Sequence, residues 1–364
     1  MINQYKKLIK RCITIAKKAE GKTSPNPMVG AVIFDDDFNI ISEGYHKKYG
    51  EKHAEVDAIE NTTQTLKGLS IAVNLEPCSH QGKTPPCADR LIKEGFKRVI
   101  IGTVDPNPLV GGKGIKKLQN AGIEVITGIL EKDCLKLNEF FIKNHVERKT
   151  FVAIKTATSL DGKIACSTGD SKWITSEKAR NRVQKLRNNY DAILTGSNTV
   201  EQDDPKLTCR LKKGKNPIRI IIDSKLKTKA KRAVYNNDGT EVYIVTNEKF
   251  SDSDFSKYPP NVNFIKCTIK NNHIDLEELL EKLYHMGIKS LMVEAGGKLN
   301  SALIEKKLVD KLIQFIAPKI IGDNKAISFV DGQGIPTIDK TTKLQDITTK
   351  AVGQDTLIEA YFNK

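Results

Sequence analysis

The sequence predicts a two-domain α/β protein, and three observations carry that expectation. The chain has 364 residues, enough for two units at about 100 to 200 residues per domain and too many for one small module. Strand-like apolar runs alternate with helical segments along both halves, as in a sheet layered with helices. Between Asn144 and Thr150 the polar stretch NHVERKT interrupts the alternation, and a fresh β-rich run starts at Phe151. The expected domains are therefore 1–146 and 147–364.

Each element has its own signal. In MINQYKKLIKRCITIAKKAE, apolar residues at Tyr5, Leu8, Ile9, Cys12, Ile13 and Ala16 recur at helical spacing with lysines opposite, which makes an amphipathic helix. A strand at 31–34, the acidic turn Asp35-Asp36-Asp37 and a strand at 39–43 form a hairpin. A helix begins near His53, a strand follows at 70–75, and a helix at 87–94 stops at Gly95. Strand 98–103, helix 114–120 closed by Gly122, and strand 123–127 complete an α/β/α layered sheet. In the second half, strands are expected at 151–156, 192–195, 218–223, 241–246, 263–267, 290–294 and 311–316, with helices at 176–188, 275–286 and 300–306.

Composition narrows the class of function. With 39% hydrophobic and 28% charged residues the chain can bury a core. The net charge of +15 suggests an acidic partner, but both halves share the excess and no run of five or six like charges forms a nucleic-acid arm. Seven cysteines, odd in number and scattered, read as reduced thiols and not a disulfide scaffold. No secretory signal and no apolar stretch of about 18 residues is visible, so a cytoplasmic protein is expected.

The informative residues are His53-Ala54-Glu55, then Glu76-Pro77-Cys78 with Cys87. One imidazole and two thiolates suit Zn²⁺ and leave the fourth tetrahedral position to water, the pattern of a catalytic site. Bound to zinc, that water drops to a pKa of about 7. Glu55, two residues from His53, is placed to shuttle its proton, and this H-x-E plus P-C constellation is that of zinc deaminases. A structural zinc would need a fourth protein ligand, for which His80 is the nearby candidate. Nucleic-acid and nucleoside deaminases carry C-x-x-C, whereas here SHQGKTPP separates the two cysteines. A different substrate is expected, and donors such as Lys83 beside the metal suit a phosphate or a polar ring.

Four segments, TSPNPMVGAVI (23–33), GYHKKYGEKHAEVDAI (44–59), NLEPCSHQGKTPPCADRLI (74–92) and DPNPLVGGKGIKKL (105–118), resemble the deaminase half of the bifunctional riboflavin-biosynthesis deaminase/reductase family. The resemblance implies a cytidine-deaminase-like fold acting on a diaminopyrimidinone that bears a ribosylamino 5′-phosphate. It places the zinc ligands on His53, Cys78 and Cys87, the proton shuttle on Glu55, and substrate contacts on Asn26, His46, Lys83 and Asn107.

No G-x-G-x-x-G follows a strand in the second half, so a standard dinucleotide fold is not supported. Glu294-Ala295-Gly296-Gly297 ends an expected strand and precedes a helix, where glycine amides can meet an anion. KTATSLDGKIA (155–165), GDSKWITS (169–176), ILTGSNTVEQDDPKLTCR (193–210) and VEAGGKLNSALI (293–304) resemble the reductase half of the same family, a fold like dihydrofolate reductase. The resemblance implies NADPH contacts at Ala157, Trp173, Thr199, Asp203, Ser224, Gly296 and Gly297. Substrate contacts fall on Ser171, Arg187, Leu207, Arg210 and Glu294, with the two arginines gripping a phosphate and Lys155 a further candidate for the cavity wall.

The expected whole is an α/β enzyme with a cytidine-deaminase-like domain followed by a dihydrofolate-reductase-like one. Its cofactors are zinc and NADPH. Its partner is a phosphorylated pyrimidine, without nucleic acid or membrane, and the protein forms a homo-oligomer. The rivals are a nucleic-acid-editing deaminase, opposed by the cysteine spacing and by an aromatic content of only 6%, and a zinc scaffold without activity.

Overall fold

The structure is a computed structural model that describes residues 1–79, 85–107 and 110–363. The chain divides into two compact units, Met1–Lys149 and Thr150–Lys364.

The first unit holds a five-stranded sheet. Strands β1 (Gly30–Phe34), β2 (Ile40–Tyr45), β3 (Ser70–Leu75), β4 (Arg98–Thr103) and β5 (Glu124–Ile126) lie in the order β2-β1-β3-β4-β5. The hairpin β1–β2 and the pair β1–β3 are antiparallel, whereas β3, β4 and β5 run parallel. Alternate side chains of these strands feed two cores. On one face, α1 (Ile2–Ala16) sets Leu8, Ile9, Cys12 and Ile15 against Val32, Phe34, Ala72 and Ile100. On the other, α2 (Ala54–Glu60), α3 (Cys87–Glu94) and α4 (Lys113–Asn120) cover Ile33, Val73 and Ile101 with Ala58, Leu91 and Leu118. With helices on both faces, every residue of β1 and β3 is buried, so the α/β/α layering read from the sequence is present. Two helices absent from that reading, α5 (Glu131–Leu137) and α6 (Glu139–Val146), close the unit.

A close approach fixes how β2 sits on α2. A Cβ on Gly44 would lie 2.1 Å from the backbone nitrogen of Ala58 and 2.6 Å from the carbonyl oxygen of Ala54. Gly44→Ala is expected to destabilise the protein by at least about 1–3 kcal/mol through overpacking. Thermal unfolding checks this, and an unchanged midpoint would show that the helix gives way at no cost.

The second unit is built on a nine-stranded sheet. Its strands are β6 (Phe151–Thr158), β8 (Ala192–Gly196), β9 (Ile218–Ile222), β10 (Val242–Asn247), β11 (Val262–Cys267), β14 (Ser290–Val293), β15 (Lys311–Ile316), β17 (Leu344–Val352) and β18 (Asp355–Phe362). Short strands β7 (Lys163–Ala165) with β16 (Ile327–Ser328), and β12 (Ile269–Lys270) with β13 (His273–Ile274), pair apart from it. The order is β11-β10-β9-β8-β14-β6-β15-β18-β17, parallel from β11 through β15 and closed by the antiparallel hairpin β17–β18. All seven strands expected in this half form the parallel block, and the hairpin was missed. Its outer strand LQDITTKAV is exposed or half-buried throughout, so it lacks the apolar alternation that marks a strand with a buried face.

Helices α7 (Glu177–Asn189), α8 (Ser197–Asp203), α9 (Asp252–Phe255), α10 (Leu276–His285) and α11 (Gly297–Glu305) complete the unit. Leu279, Leu283 and Leu303 from α10 and α11 pack with Val152, Leu194, Ile220 and Leu291 of the sheet. Ser176 caps α7, its hydroxyl accepting from the amide of Ala179. The same hydroxyl and the Ser176 amide donate to Oδ2 of Asp355, 179 positions along the chain, at 2.5 and 2.8 Å.

Candidate active sites

In the first unit, three element ends converge. His53 is the residue preceding α2, Cys78 follows β3, and Cys87 opens α3. Nδ1 of His53 lies 3.3 Å from Sγ of Cys87 and 3.6 Å from Sγ of Cys78. The three donor atoms fall within 4.8 Å of one another. A zinc ion with ordinary bond lengths at tetrahedral angles would separate nitrogen and sulfur by about 3.6 Å, so the donor set fits the metal. Among the described residues no fourth donor joins this group; His80 and Lys83 lie outside those residues.

The electrostatics favour a thiolate here. Donation from the Cys87 thiol, aided by His53 and the Cys87 amide at 3.3 Å, holds Cys78 down to about 4. Cys87 is correspondingly pushed up by its bond to Cys78, and His53 is raised, first through its bond to Cys78. Glu55, in the first turn of α2, is 3% exposed. Burial, seconded by the negative Cys78, lifts its carboxyl to about 7. A carboxyl poised near neutrality both takes and gives a proton.

His53, Cys78 and Glu55 open on a cavity of about 370 Å³, whose walls include Asn26, His46, Asp105 and Asn107. His46 is buried, which lowers its pKa and so favours the neutral ring. Its Nδ1 faces the carbonyl of Lys52 at 2.9 Å and so must carry the proton, leaving Nε2 to accept from Nδ2 of Asn26 at 3.2 Å. The structure thus brings Asn26 and His46 together and sets Asn107 on the same cavity. Sequence reasoning missed the residues that hold this wall. Asn138 accepts from the amide of Met28 at 2.7 Å, and Asn74 accepts from the amide of Gly30 at 2.7 Å and donates to the carbonyl of Met28 at 3.1 Å. An asparagine inside the wholly buried strand β3 was the available signal. Phe141 and His145, also missed, line the cavity from α6.

In the second unit the expected cofactor residues gather on one edge. Ala157 lies near the end of β6, Thr199 and Asp203 on α8 after β8, Ser224 after β9, and Gly296-Gly297 after β14. The four strands are parallel neighbours, β9-β8-β14-β6, so their carboxyl ends share the side where open α/β sheets bind ligands. Gly296 caps α11, and a Cβ there or on Gly196 would meet nothing within 4 Å. That free space beside a helix N-terminus suits the phosphates of a dinucleotide. Gly297 is packed instead, since a Cβ would come 2.4 Å from the carbonyl of Ser328.

Glu294 is the electrostatic centre of this edge. Its carboxylate lies 2.8 Å from Nε and 3.1 Å from Nη2 of Arg187, and 2.8 Å from Nζ of Lys155. Burial would raise its pKa, but the two cations hold it well below the usual carboxylate range. The third nitrogen of Arg187 donates to the carbonyl of Thr208 at 3.0 Å. The fork expected to grip a phosphate is therefore engaged by Glu294, whereas Arg210 is exposed and joined through its backbone amide to Gln184. Lys155, a strand lysine, points inward to this pair. Trp173 is 60% exposed with the Arg180 guanidinium 4.4 Å over its ring. Ser171 bonds Asp203, whose carboxyl is raised chiefly by burial. Leu207 is buried with φ of 51°.

Comparison with known proteins agrees across the whole length. Residues 2–103 match the cytidine and deoxycytidylate deaminase zinc-binding region, and residues 150–358 match the RibD C-terminal domain. The chain is 40% identical to the riboflavin biosynthesis protein RibD of Actinobacillus pleuropneumoniae, covering 96% of this chain and 93% of that one. It is 39% identical to RibD of Escherichia coli K12 over 92% of each. Among solved structures it is similar to the diaminohydroxyphosphoribosylaminopyrimidine deaminase/5-amino-6-(5-phosphoribosylamino)uracil reductase of Thermotoga maritima. That similarity has a TM-score of 0.88 at 39% identity, over 100% of this chain and 99% of the other. It is also similar to Acinetobacter baumannii RibD, with a TM-score of 0.88 at 33% identity and full coverage of both chains.

Proposed function

The chain belongs to the RibD family of riboflavin-biosynthesis proteins, and from that premise we propose which of its residues carry the family's two reactions. It is a bifunctional enzyme, a zinc-dependent deaminase followed by an NADPH-dependent reductase. The substrate is a diaminopyrimidinone carrying a ribosylamino 5′-phosphate. Its ring amine is hydrolysed first, and its ribose is then reduced to a ribityl chain.

His53, Cys78 and Cys87 hold the zinc. Zinc, when bound, supplies a water nucleophile usable at neutral pH. Glu55 would take a proton from the attacking water on a carboxylate oxygen and, as the water oxygen bonds to the ring carbon, pass it to the exocyclic amino group, so that the C–N bond to that group breaks and ammonia leaves. Asn26, His46 and Asn107 orient the ring, and Lys83 serves the phosphate. In the second unit Ala157, Trp173, Thr199, Asp203, Ser224, Gly296 and Gly297 receive the dinucleotide. NADPH, when bound, supplies the hydride. Ser171, Leu207, Arg210 and the Glu294 cluster face the sugar phosphate, with Arg187 acting mainly by fixing Glu294. The enzyme works in the cytoplasm as a homo-oligomer, without nucleic acid or membrane. No helix among the described residues is long and apolar enough to cross a membrane.

The carrying observation is the three-donor group with Glu55 buried beside it. The test incubates the ribotide with and without NADPH, following ammonia and nicotinamide absorbance. Stripping zinc with a chelator is expected to stop ammonia release, and zinc to restore it, while NADPH oxidation on already deaminated substrate continues. Ammonia release that survives complete metal removal would overturn the reading.

A further inference from the structure

Glu76 takes no part in either step above, yet its carboxylate is heavily engaged beside the first site. It is 5% exposed and accepts four backbone N–H groups. Oε2 accepts from Asp105 at 3.1 Å and Gly112 at 2.9 Å; Oε1 accepts from Gly114 at 2.9 Å and Ile115 at 3.2 Å. All four donors come from the stretch that leaves β4 and enters α4, two oxygens thereby fastening both of its ends. Charge-assisted bonds of this kind are roughly twice as strong as neutral ones. Close packing reinforces them, since a Cβ on Gly114 would lie 2.1 Å from the carbonyl of Pro77. The same stretch carries Asp105 and Asn107 to the cavity wall, where Asp105 Oδ1 accepts from the amide of Asn107 at 2.9 Å.

We propose that Glu76 is a positioning residue of the deaminase: by latching Asp105 on one side and Gly112, Gly114 and Ile115 on the other to the segment after β3 that bears Cys78, it sets Asn107 at the distance the substrate requires. Glu76 is not one of the three metal donors, so its effect falls on substrate binding and not on zinc. The inference rests on the reading of this cavity as the deaminase site.

Glu76→Gln tests it, because an amide puts N–H against N–H at one end of the latch. The expected result is a KM for the ribotide raised about tenfold or more with kcat lowered less than about threefold. Zinc content and NADPH oxidation on deaminated substrate should match the parent, and trypsin should cut after Lys113 faster. Gly114→Ala displaces the same stretch with Glu76 intact and should reproduce the KM rise. Should Glu76→Gln not fold, Gly114→Ala and the shorter carboxylate of Glu76→Asp decide by the same KM measurement. An unchanged KM in the folded variants, or a kcat collapse that tracks zinc loss, overturns the proposal. Failure of the underlying site reading shows differently, as ammonia release that persists in Glu55→Gln.

Discussion

Glu55→Gln is expected to lower ammonia release by about 10²–10⁴-fold, the range for removing a general acid/base, while zinc content and NADPH oxidation stay at parental levels. Glutamine fills the same space in α2 but cannot take a proton. The three metal donors do not include Glu55, so the ion should remain. Burial lifts the carboxyl to about 7, which fits it to both halves of the transfer. The measurement is an ammonia assay beside metal analysis. A variant that still turns over within about tenfold of the parent would sink the assignment, and one that loses zinc in step with activity would make Glu55 a support for the ligands.

The second large effect is expected at Glu294. Replacing it with alanine strands two cations, Arg187 and Lys155, in a site where the three side chains are only 10–14% exposed. Breaking such a buried cluster typically costs about 3–5 kcal/mol, so Glu294→Ala should lower the unfolding midpoint and abolish NADPH oxidation. Replacing all three by apolar residues should recover most of the stability, as buried ion clusters often permit, but none of the reductase activity. Equal stability of Glu294→Ala and the parent would contradict the account. The sign of the pH dependence follows from the same group. Its folded pKa is depressed, so the stabilisation is complete above the ordinary glutamate value near 4.3 and fades as pH falls below it. Acid titration of the parent should show this loss, and Glu294→Ala should not.

The clustering of His53, Cys78 and Cys87 with Glu55 close by was legible because its chemistry is local: each sits at an element end, where residue type and spacing speak directly. The parallel block of the second unit was legible for a related reason, since strands buried on both faces read as apolar runs. What stayed hidden depends on partners distant in the chain. Nothing in an arginine at 187 announces a glutamate 107 positions away, so the sequence could suggest a phosphate grip or a salt bridge for it but not name the partner. Glu76 read as one letter of a motif, because its four partners are backbone amides that no residue type reveals. The helices α5 and α6 were passed over in a stretch where α6 has only a weak apolar face. Phe141 and His145 went with them, although they border the cavity.

The bond from Asp355 to Ser176 has a practical side. The final hairpin stands at the sheet's margin and looks like the part of the molecule most easily spared, yet its acid secures the start of the helix that carries Arg180 and Arg187. Affinity tags, fluorescent fusions or trimmed versions attached near this edge should therefore begin beyond Phe362. A protein shortened before Asp355 would lose its hold on the start of the helix that bears Arg180 and Arg187, with every one of its parallel strands still in place.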